Sequence, residues 1–262
     1  VRKLLLAGAG NLAWSLAHEL ANLPGTVCAV TARNEAKGKA LAASAGCAWA
    51  GPPGAKPWPE VDGILLAVPD RAIVPVAREL APLCRRGTWM AHLSGATDTG
   101  GLAGVAPLAG ALYPLQTFTA GRHISWKSLP VFWEGPEAIG ELARELSDHS
   151  AFMDSEGRLR IHLAAVWASN FTNALLGVAK EWLPGGTGLE VLEPLVKEQV
   201  KKAFEIGPAA AQTGPALRGD EAVMEKHLEL LADHPDLQTL YVHISRQIRT
   251  EPNRPPDVHP GE

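Results

Sequence analysis

The stretch Lys3-Leu4-Leu5-Leu6-Ala7-Gly8-Ala9-Gly10-Asn11-Leu12-Ala13 decides the reading of this chain. A short apolar run, Lys3–Ala7, has the character of a buried strand and meets glycine at Gly8, and a helix-length segment, Asn11–Ala21, follows. Gly8-Ala9-Gly10-Asn11-Leu12-Ala13 is therefore a GxGxxA turn in the strand–turn–helix setting that gives the motif meaning. Gly8 makes the tight turn, Gly10 lets backbone approach a pyrophosphate, and Ala13 lets the helix lie close to the strand. The helix start at Asn11 and Leu12 then offers free N–H groups and positive dipole to an anion. A tight turn that binds nothing would use the same glycines, so dinucleotide binding is an expectation at this point.

Outward from this turn the alternation continues. Strands are expected at Thr26–Thr31, near Cys47–Trp49, and at Ile64–Val68, Thr88–Leu93, Ala109–Tyr113 and Leu129–Trp133. Helices are expected over Asn34–Ala45, Arg71–Leu83 and Glu137–Ser147, with Asp70 as a possible cap. Gly51-Pro52-Pro53-Gly54-Ala55-Lys56-Pro57 cannot be regular structure. This is the pattern of a doubly wound parallel sheet with a ligand crevice at the carboxyl ends of its strands. After about Asp154 the periodicity is helical: Gly157–Leu183, Leu189–Ile206, Asp220–Ala232 and Asp236–Arg249, then a proline-rich stretch. The fold class is α/β, with domains expected at 1–153 (dinucleotide binding), 154–250 (helical, for substrate and dimerisation) and 251–262 (flexible tail). A length of 262 residues suits two domains of ordinary size.

Composition narrows the function. With 24 Lys+Arg against 28 Asp+Glu there is no basic excess to neutralise phosphates, which argues against nucleic acid. Cys28, Cys47 and Cys84 form no CxxC pair, which predicts a reducing compartment and neither disulfide framework nor zinc. The opening apolar run is too short for a signal peptide. Ile161–Ala179 lacks Asp, Glu, Lys and Arg but holds His162, Ser169, Asn170, Thr172 and Asn173, so a helix buried in protein is expected and not a membrane span. A cytoplasmic protein follows as the expectation.

The end of the second strand says which dinucleotide. An NAD enzyme wants Asp or Glu there for the ribose hydroxyls. Here the residues are Thr31-Ala32-Arg33-Asn34, with no carboxylate before Glu35. A guanidinium at Arg33 can pair with a 2′-phosphate, which favours NADP; an exposed arginine at a helix start is the plainer alternative. The missing acid also counts against a methyltransferase.

Gly8–Ala13 followed by Ala67-Val68-Pro69-Asp70 resembles the superfamily of β-hydroxyacid dehydrogenases, pyrroline-carboxylate reductases, prephenate dehydrogenases and ketopantoate reductases. His92-Leu93-Ser94-Gly95-Ala96, Leu115-Gln116-Thr117-Phe118, Ala164-Ala165-Val166-Trp167-Ala168-Ser169-Asn170 and Thr213-Gly214-Pro215-Ala216-Leu217-Arg218-Gly219-Asp220 resemble one group more closely. These are the Rossmann-like NADP oxidoreductases whose helical C-terminal domain is catalogued only as a domain of unknown function. The resemblance spans nearly the whole chain. It implies an N-terminal Rossmann sheet, a C-terminal all-helical domain like that of phosphogluconate dehydrogenase, an NADP cofactor and a homodimer built through the helices. Two departures stand out. Tyr113-Pro114-Leu115-Gln116 replaces His-Pro-Leu-Gln, so a hydroxyl stands where a group titrating near neutrality is expected. Where β-hydroxyacid dehydrogenases carry Lys-x-x-x-Asn, matching Asn170 to the asparagine places Val166 at the lysine.

Hydride transfer to a carbonyl or imine calls for a positioned acid, worth about 10²–10⁴-fold in rate. At 100° per residue Arg158, His162, Ser169 and Asn173 fall within about 60° of one another, a polar stripe on an apolar helix. His162 is the candidate acid or base, with Ser169, Asn170 and Asn173 holding substrate oxygens; bridging to a neighbouring helix or subunit would use the same side chains. Ser94 follows a strand where nicotinamide would lie and reads equally as cofactor or catalytic contact and as a plain turn. Ala67, Val68 and Pro69 are expected against the cofactor, and Gln116 and Arg218 are candidate substrate contacts, the latter because a guanidinium suits a carboxylate. His123, His149 and His234 show no ligand spacing, so no metal is expected. The sequence thus points to hydride transfer between a nicotinamide and a small carbonyl, imine or hydroxyl compound. The alternative is an NADP-binding sensor or scaffold without turnover, which Val166 favours.

Overall fold

The computed structural model describes residues 1–55 and 60–250. The expectations for Lys56-Pro57 and for the tail 251–262 therefore lie outside the described residues. The chain divides into two compact units, Val1–Ala174 and Leu175 onward.

The first unit is built on strands β1 (Arg2–Ala7), β2 (Thr26–Thr31), β3 (Ala48–Trp49), β4 (Gly63–Leu66), β5 (Trp89–His92), β6 (Leu108–Pro114), β7 (Pro130–Glu134) and β8 (His149–Phe152). They form one eight-stranded sheet in the order β3-β2-β1-β4-β5-β6-β7-β8. β3 to β6 are mutually parallel, and their order is that of a doubly wound Rossmann sheet. β7 runs antiparallel to β6, and β8 is parallel to β7. β8 was not anticipated: His149-Ser150-Ala151-Phe152 lies at the sheet edge, carries no continuous apolar run, and is mostly exposed.

Helices α1 (Asn11–Asn22), α2 (Glu35–Ala45), α3 (Ile73–Leu80) and α4 (Glu137–Leu146) cover the sheet. Because β1 is buried on both faces, its side chains alternate between two cores. Leu4 and Leu6 pack with Leu16, Leu20, Leu41 and Leu142 of α1, α2 and α4; Leu5 and Ala7 pack with Ile73, Val76 and Leu80 of α3. Truncating any of these leucines to alanine costs about 2–5 kcal/mol. Asn34 caps α2 by accepting from the Lys37 N–H at 3.0 Å, and Gly46 closes it in the left-handed conformation. The expected helix over Arg71–Leu83 is α3 flanked by two 3₁₀ turns, Asp70–Ala72 and Ala81–Leu83, and Asp70 does not cap it.

Three glycines lie beneath tryptophan rings. A β-carbon on Gly38, Gly63 or Gly140 would overlap the ring of Trp49, Trp89 or Trp133 respectively. The indoles occupy the volume that these glycines leave free.

Helices α5 (Ser155–Ala165) and α6 (Thr172–Glu181) are joined by a π-helical segment, Val166–Phe171. This corrects the polar stripe expected on the helix. Bonding to the fifth residue widens the turn, so positions after Val166 lose the 100° phase with those before it. Arg158 is fully buried and His162 half-buried, whereas Ser169, Asn170 and Asn173 are exposed. The expectation of a helix buried in protein is likewise not met within one chain. Leu159, Leu163, Trp167 and Phe171, each four residues from the next, are exposed, Trp167 at 64%.

In the second unit, α7 (Glu193–Ile206), α8 (Pro208–Ala211), α9 (Pro215–Arg218), α10 (Glu221–Leu230) and α11 (Pro235–Thr250) follow α6. The short helices α8 and α9 each open with proline after a glycine at positive φ, Gly207 and Gly214. Val178, Trp182, Leu231, Leu240 and Ile244 line an apolar cavity of about 350 Å³, with Tyr241 hydrogen-bonded to His227 Nδ1 at 2.8 Å in its wall. No helix of the described residues is long and apolar enough to cross a membrane.

Candidate active site

A cleft of about 540 Å³ opens at the carboxyl ends of β1, β2 and β4. Gly8, Ala9, Gly10, Thr31, Ala32, Arg33, Asn34, Ala67, Val68 and Pro69 line it, together with Lys37 and Arg71. Gly8 has φ +132°, and a β-carbon there would run into the Ala67 carbonyl, so local packing alone requires glycine. Gly10 differs, because a β-carbon on it would meet no atom within 4 Å. That open space lies at the start of α1, where no side chain of the described residues caps the helix. First-turn N–H groups of α1 are thus left for an anion.

Other side chains near the cleft already hold partners. Thr31 is buried and donates from its hydroxyl to the Gly51 carbonyl at 2.8 Å. Asn34 is engaged as the α2 cap. Arg33 pairs with Glu79 at 2.8 Å on the surface. Ala13 and Leu12 pack into the core beneath α1, and Asn11 accepts from the Ala120 N–H at 3.4 Å. Three cations, Arg33, Lys37 and Arg71, are among the residues that line the cleft. Lys37 and Arg71 are not singled out by the sequence; Lys37 lies in the first turn of α2, four residues after Arg33.

Further along the same sheet edge, β5 ends at His92 and β6 at Tyr113-Pro114. Three strand steps separate β1 from β6, about 14 Å at ordinary strand spacing. His92 is fully buried and accepts from the Ser94 N–H at Nδ1, 3.2 Å. Burial, reinforced by the Arg158 guanidinium, lowers its pKa to about 4, so it is neutral at physiological pH. The Ser94 hydroxyl accepts from the N–H groups of Ala96 and Thr97 at 3.1 and 3.0 Å, which fixes the turn after β5 and leaves its O–H free to donate.

At this end of the sheet Tyr113 and His162 meet. The Tyr113 hydroxyl lies 3.1 Å from His162 Nδ1, with the rings edge to face. Burial pushes the Tyr113 phenol up from its ordinary range, which keeps it protonated. Gly95 makes room for both, since a β-carbon on it would stand 2.6 Å from Tyr113 Cζ and 2.7 Å from His162 Nδ1. Tyr113 was noted in the sequence as a departure but not as a partner for His162, 49 residues away.

Arg158, one helical turn before His162 on α5 and fully buried, is the centre of an ion network. Arg158 donates to Glu134 at 2.5 Å and to the Thr97 carbonyl at 2.6 Å. The Ser155 hydroxyl donates to Glu134 at 2.8 Å, and Thr99 Oγ1 donates to the other Glu134 oxygen at 3.2 Å. The remaining sequence candidates stand apart. Gln116 is exposed and accepts from the Thr117 N–H, and Arg218, in the second unit, is paired with Asp220 at 2.8 Å.

The family model described as a domain of unknown function, DUF2520, matches residues 134–248. No curated protein matches the chain. Among solved structures, a Bacteroides fragilis protein assigned as an NADP oxidoreductase is 33% identical over 95% of this chain and 98% of its own, with a TM-score of 0.88. A Thermotoga maritima protein is 25% identical over 94% and 97% of the two chains, with a TM-score of 0.70. A reductive aminase from Aspergillus terreus, in complex with NADPH and ethyl-5-oxohexanoate, shares the fold at 15% identity, 95% coverage of each chain and a TM-score of 0.65. With its doubly wound sheet, glycine turn and helical second unit, the chain belongs to the family of Rossmann NADP oxidoreductases that carry this helical domain of unknown function.

Proposed function

We propose that the protein is an NADP(H)-dependent oxidoreductase acting on a small carbonyl, imine or hydroxyl compound, with His162 and Tyr113 handling the proton. The observation that carries this reading is the Tyr113–His162 hydrogen bond across Gly95 at the carboxyl edge of the sheet. The glycine cleft is suited to the cofactor. Gly10 leaves space at an uncapped helix start for a pyrophosphate, and Arg33, Lys37 and Arg71 offer positive charge to a 2′-phosphate. The nicotinamide, when bound, supplies or accepts the hydride.

The chain's own residues do the rest. A protonated Tyr113 donates to His162 Nδ1 and leaves Nε2 to hold or release the proton that the substrate oxygen or nitrogen needs. The free O–H of Ser94 is a candidate for orienting substrate. The exposed row Leu159, Leu163, Trp167 and Phe171 supports pairing with a second copy of the chain, which sedimentation equilibrium would test.

Parallel fluorescence titrations with NADPH and NADH come first. Tighter NADPH binding is expected, and binding of neither would remove the oxidoreductase reading. With a turned-over keto acid or imine in hand, His162→Ala is expected to lower kcat by about 10²–10⁴-fold with NADPH affinity kept. A non-catalytic NADP-binding sensor is the second reading, favoured by Val166 where related dehydrogenases carry lysine; NADPH binding without turnover across that screen would support it.

A further inference from the structure

We propose that the buried Arg158–Glu134 pair is the positioning device of the site, locking the loop after β5 to the first turn of α5 so that His162 meets Tyr113 across Gly95. This rests on the reading of His162 as the proton-handling group.

Arg158 has no exposed surface, while Glu134 retains 18%. One guanidinium nitrogen reaches Glu134 on β7, and the other reaches the Thr97 carbonyl in the loop and Ser155 Oγ at 3.1 Å at the start of α5. Thr99 closes the ring, donating from its N–H to Ser155 and from its hydroxyl to Glu134. Three separate segments therefore converge on one ion pair. His162 is one helical turn beyond Arg158, on the same face of α5. Gly95 is two residues before Thr97, in a turn already fixed by the Ser94 hydroxyl. Any slip of the loop against α5 would move Gly95 against His162, where the fit leaves no room for a β-carbon.

The pair is not needed to start the helix, because Asp154 already caps α5 by accepting from the Gly157 N–H at 2.8 Å. Nor is a buried ion pair an efficient source of stability, since desolvation offsets most of the attraction. What it can supply is register, because one guanidinium holds Glu134 on β7 and the Thr97 carbonyl in the loop at the same time.

The test reads which ring nitrogen of His162 carries the proton, by NMR of protein labelled with isotopic nitrogen in histidine. In the unaltered protein His162 should show one tautomer, Nδ1 bare and Nε2 protonated. Tyr113→Phe removes the donor and defines the signature of a mixed tautomer. The double variant Arg158→Met, Glu134→Gln, which replaces the charges with neutral side chains of similar length, should give that same mixed signature. His227, bonded to Tyr241 in the other unit, serves as the internal control and should not change. An unaltered His162 signature in the folded double variant overturns the proposal. Should the double variant lose the His227 signature as well, Arg158→Lys decides, because it keeps the buried charge paired but cannot span both Glu134 and Thr97. Mixing is again expected, and an unchanged His162 again overturns it. NADPH affinity of the double variant should stay within about twofold of the unaltered protein, as the glycine cleft is a separate site. An unaltered protein that fails to bind NADPH defeats the reductase reading and leaves the tautomer result standing.

Discussion

Lowering the pH from about 7.5 to about 4 is expected to protonate His92 in the unfolded chain well before it does so in the folded one. His92 is wholly buried at the end of β5, and burial together with the Arg158 guanidinium brings its pKa from 6.5 to about 4, against the weaker opposite pull of Asp70, Glu134 and the Asp98 backbone. Because the folded value is the lower one, the stabilisation is complete above pH 6.5 and declines as the pH falls towards about 4, below which both states are protonated. At about 1.4 kcal/mol per pH unit this window integrates to about 3 kcal/mol, a sizeable part of the 5–15 kcal/mol typical of a domain. The assay is urea unfolding followed by tryptophan fluorescence at several pH values. His92→Asn is the reference, because an amide oxygen can accept from the Ser94 N–H as Nδ1 does but does not titrate. The unaltered protein should lose about 3 kcal/mol more than His92→Asn between pH 6.5 and 4. Parallel curves for the two proteins would refute the reasoning.

Gly8→Ala should destabilise the fold by about 1–3 kcal/mol from backbone strain alone and abolish NADPH binding, as read by urea unfolding and fluorescence titration. Retained affinity would show that the glycine turn is not the site. Arg33→Ser should weaken NADPH relative to NADH by about tenfold or more, the worth of one charged hydrogen bond, and equal losses for the two cofactors would take the phosphate away from Arg33. Trp126→Phe removes the indole N–H that reaches Ser15 Oγ at 2.9 Å and should cost about 1–3 kcal/mol, part of which Ser15→Ala in the same background should recover.

The parts of this molecule that a reader of the sequence can see are those written locally. Leu4–Ala7, Cys28–Val30 and Ile64–Leu66 are apolar runs because a parallel strand is covered on both faces, and the glycine turn sits where the first run ends. Asn34 marks the start of its helix by its own chemistry, whereas the cap at Asp154 starts α5 two residues before the expected Gly157. What stayed hidden is non-local or breaks a period. His149–Phe152 becomes a strand through pairing with Pro130–Trp133 and not through its own composition. The π-helical segment at Val166–Phe171 cannot be found by a search at 100° per residue, and it dissolves the stripe that joined His162 to Asn173. His162 was singled out as a polar residue on an apolar helix, but its partner Tyr113 lies on another strand. Arg158 stands in the sequence only as a member of the polar stripe with His162; its ion pair with Glu134, 24 residues away, is what gives it a role.

The three glycine–tryptophan pairs bear on how this chain can vary. Gly63 admits no side chain while the Trp89 indole lies over it, and a smaller residue at 89 would leave a void over Gly63. Each single exchange is penalised, the first by overlap and the second by a cavity, whereas the joint exchange to a larger residue at 63 and a smaller one at 89 can refill the same volume. The same holds for Gly38 with Trp49 and Gly140 with Trp133. Substitutions at these six positions are therefore epistatic, and in related chains a side chain is expected at one member of a pair only where the indole of the other has been lost.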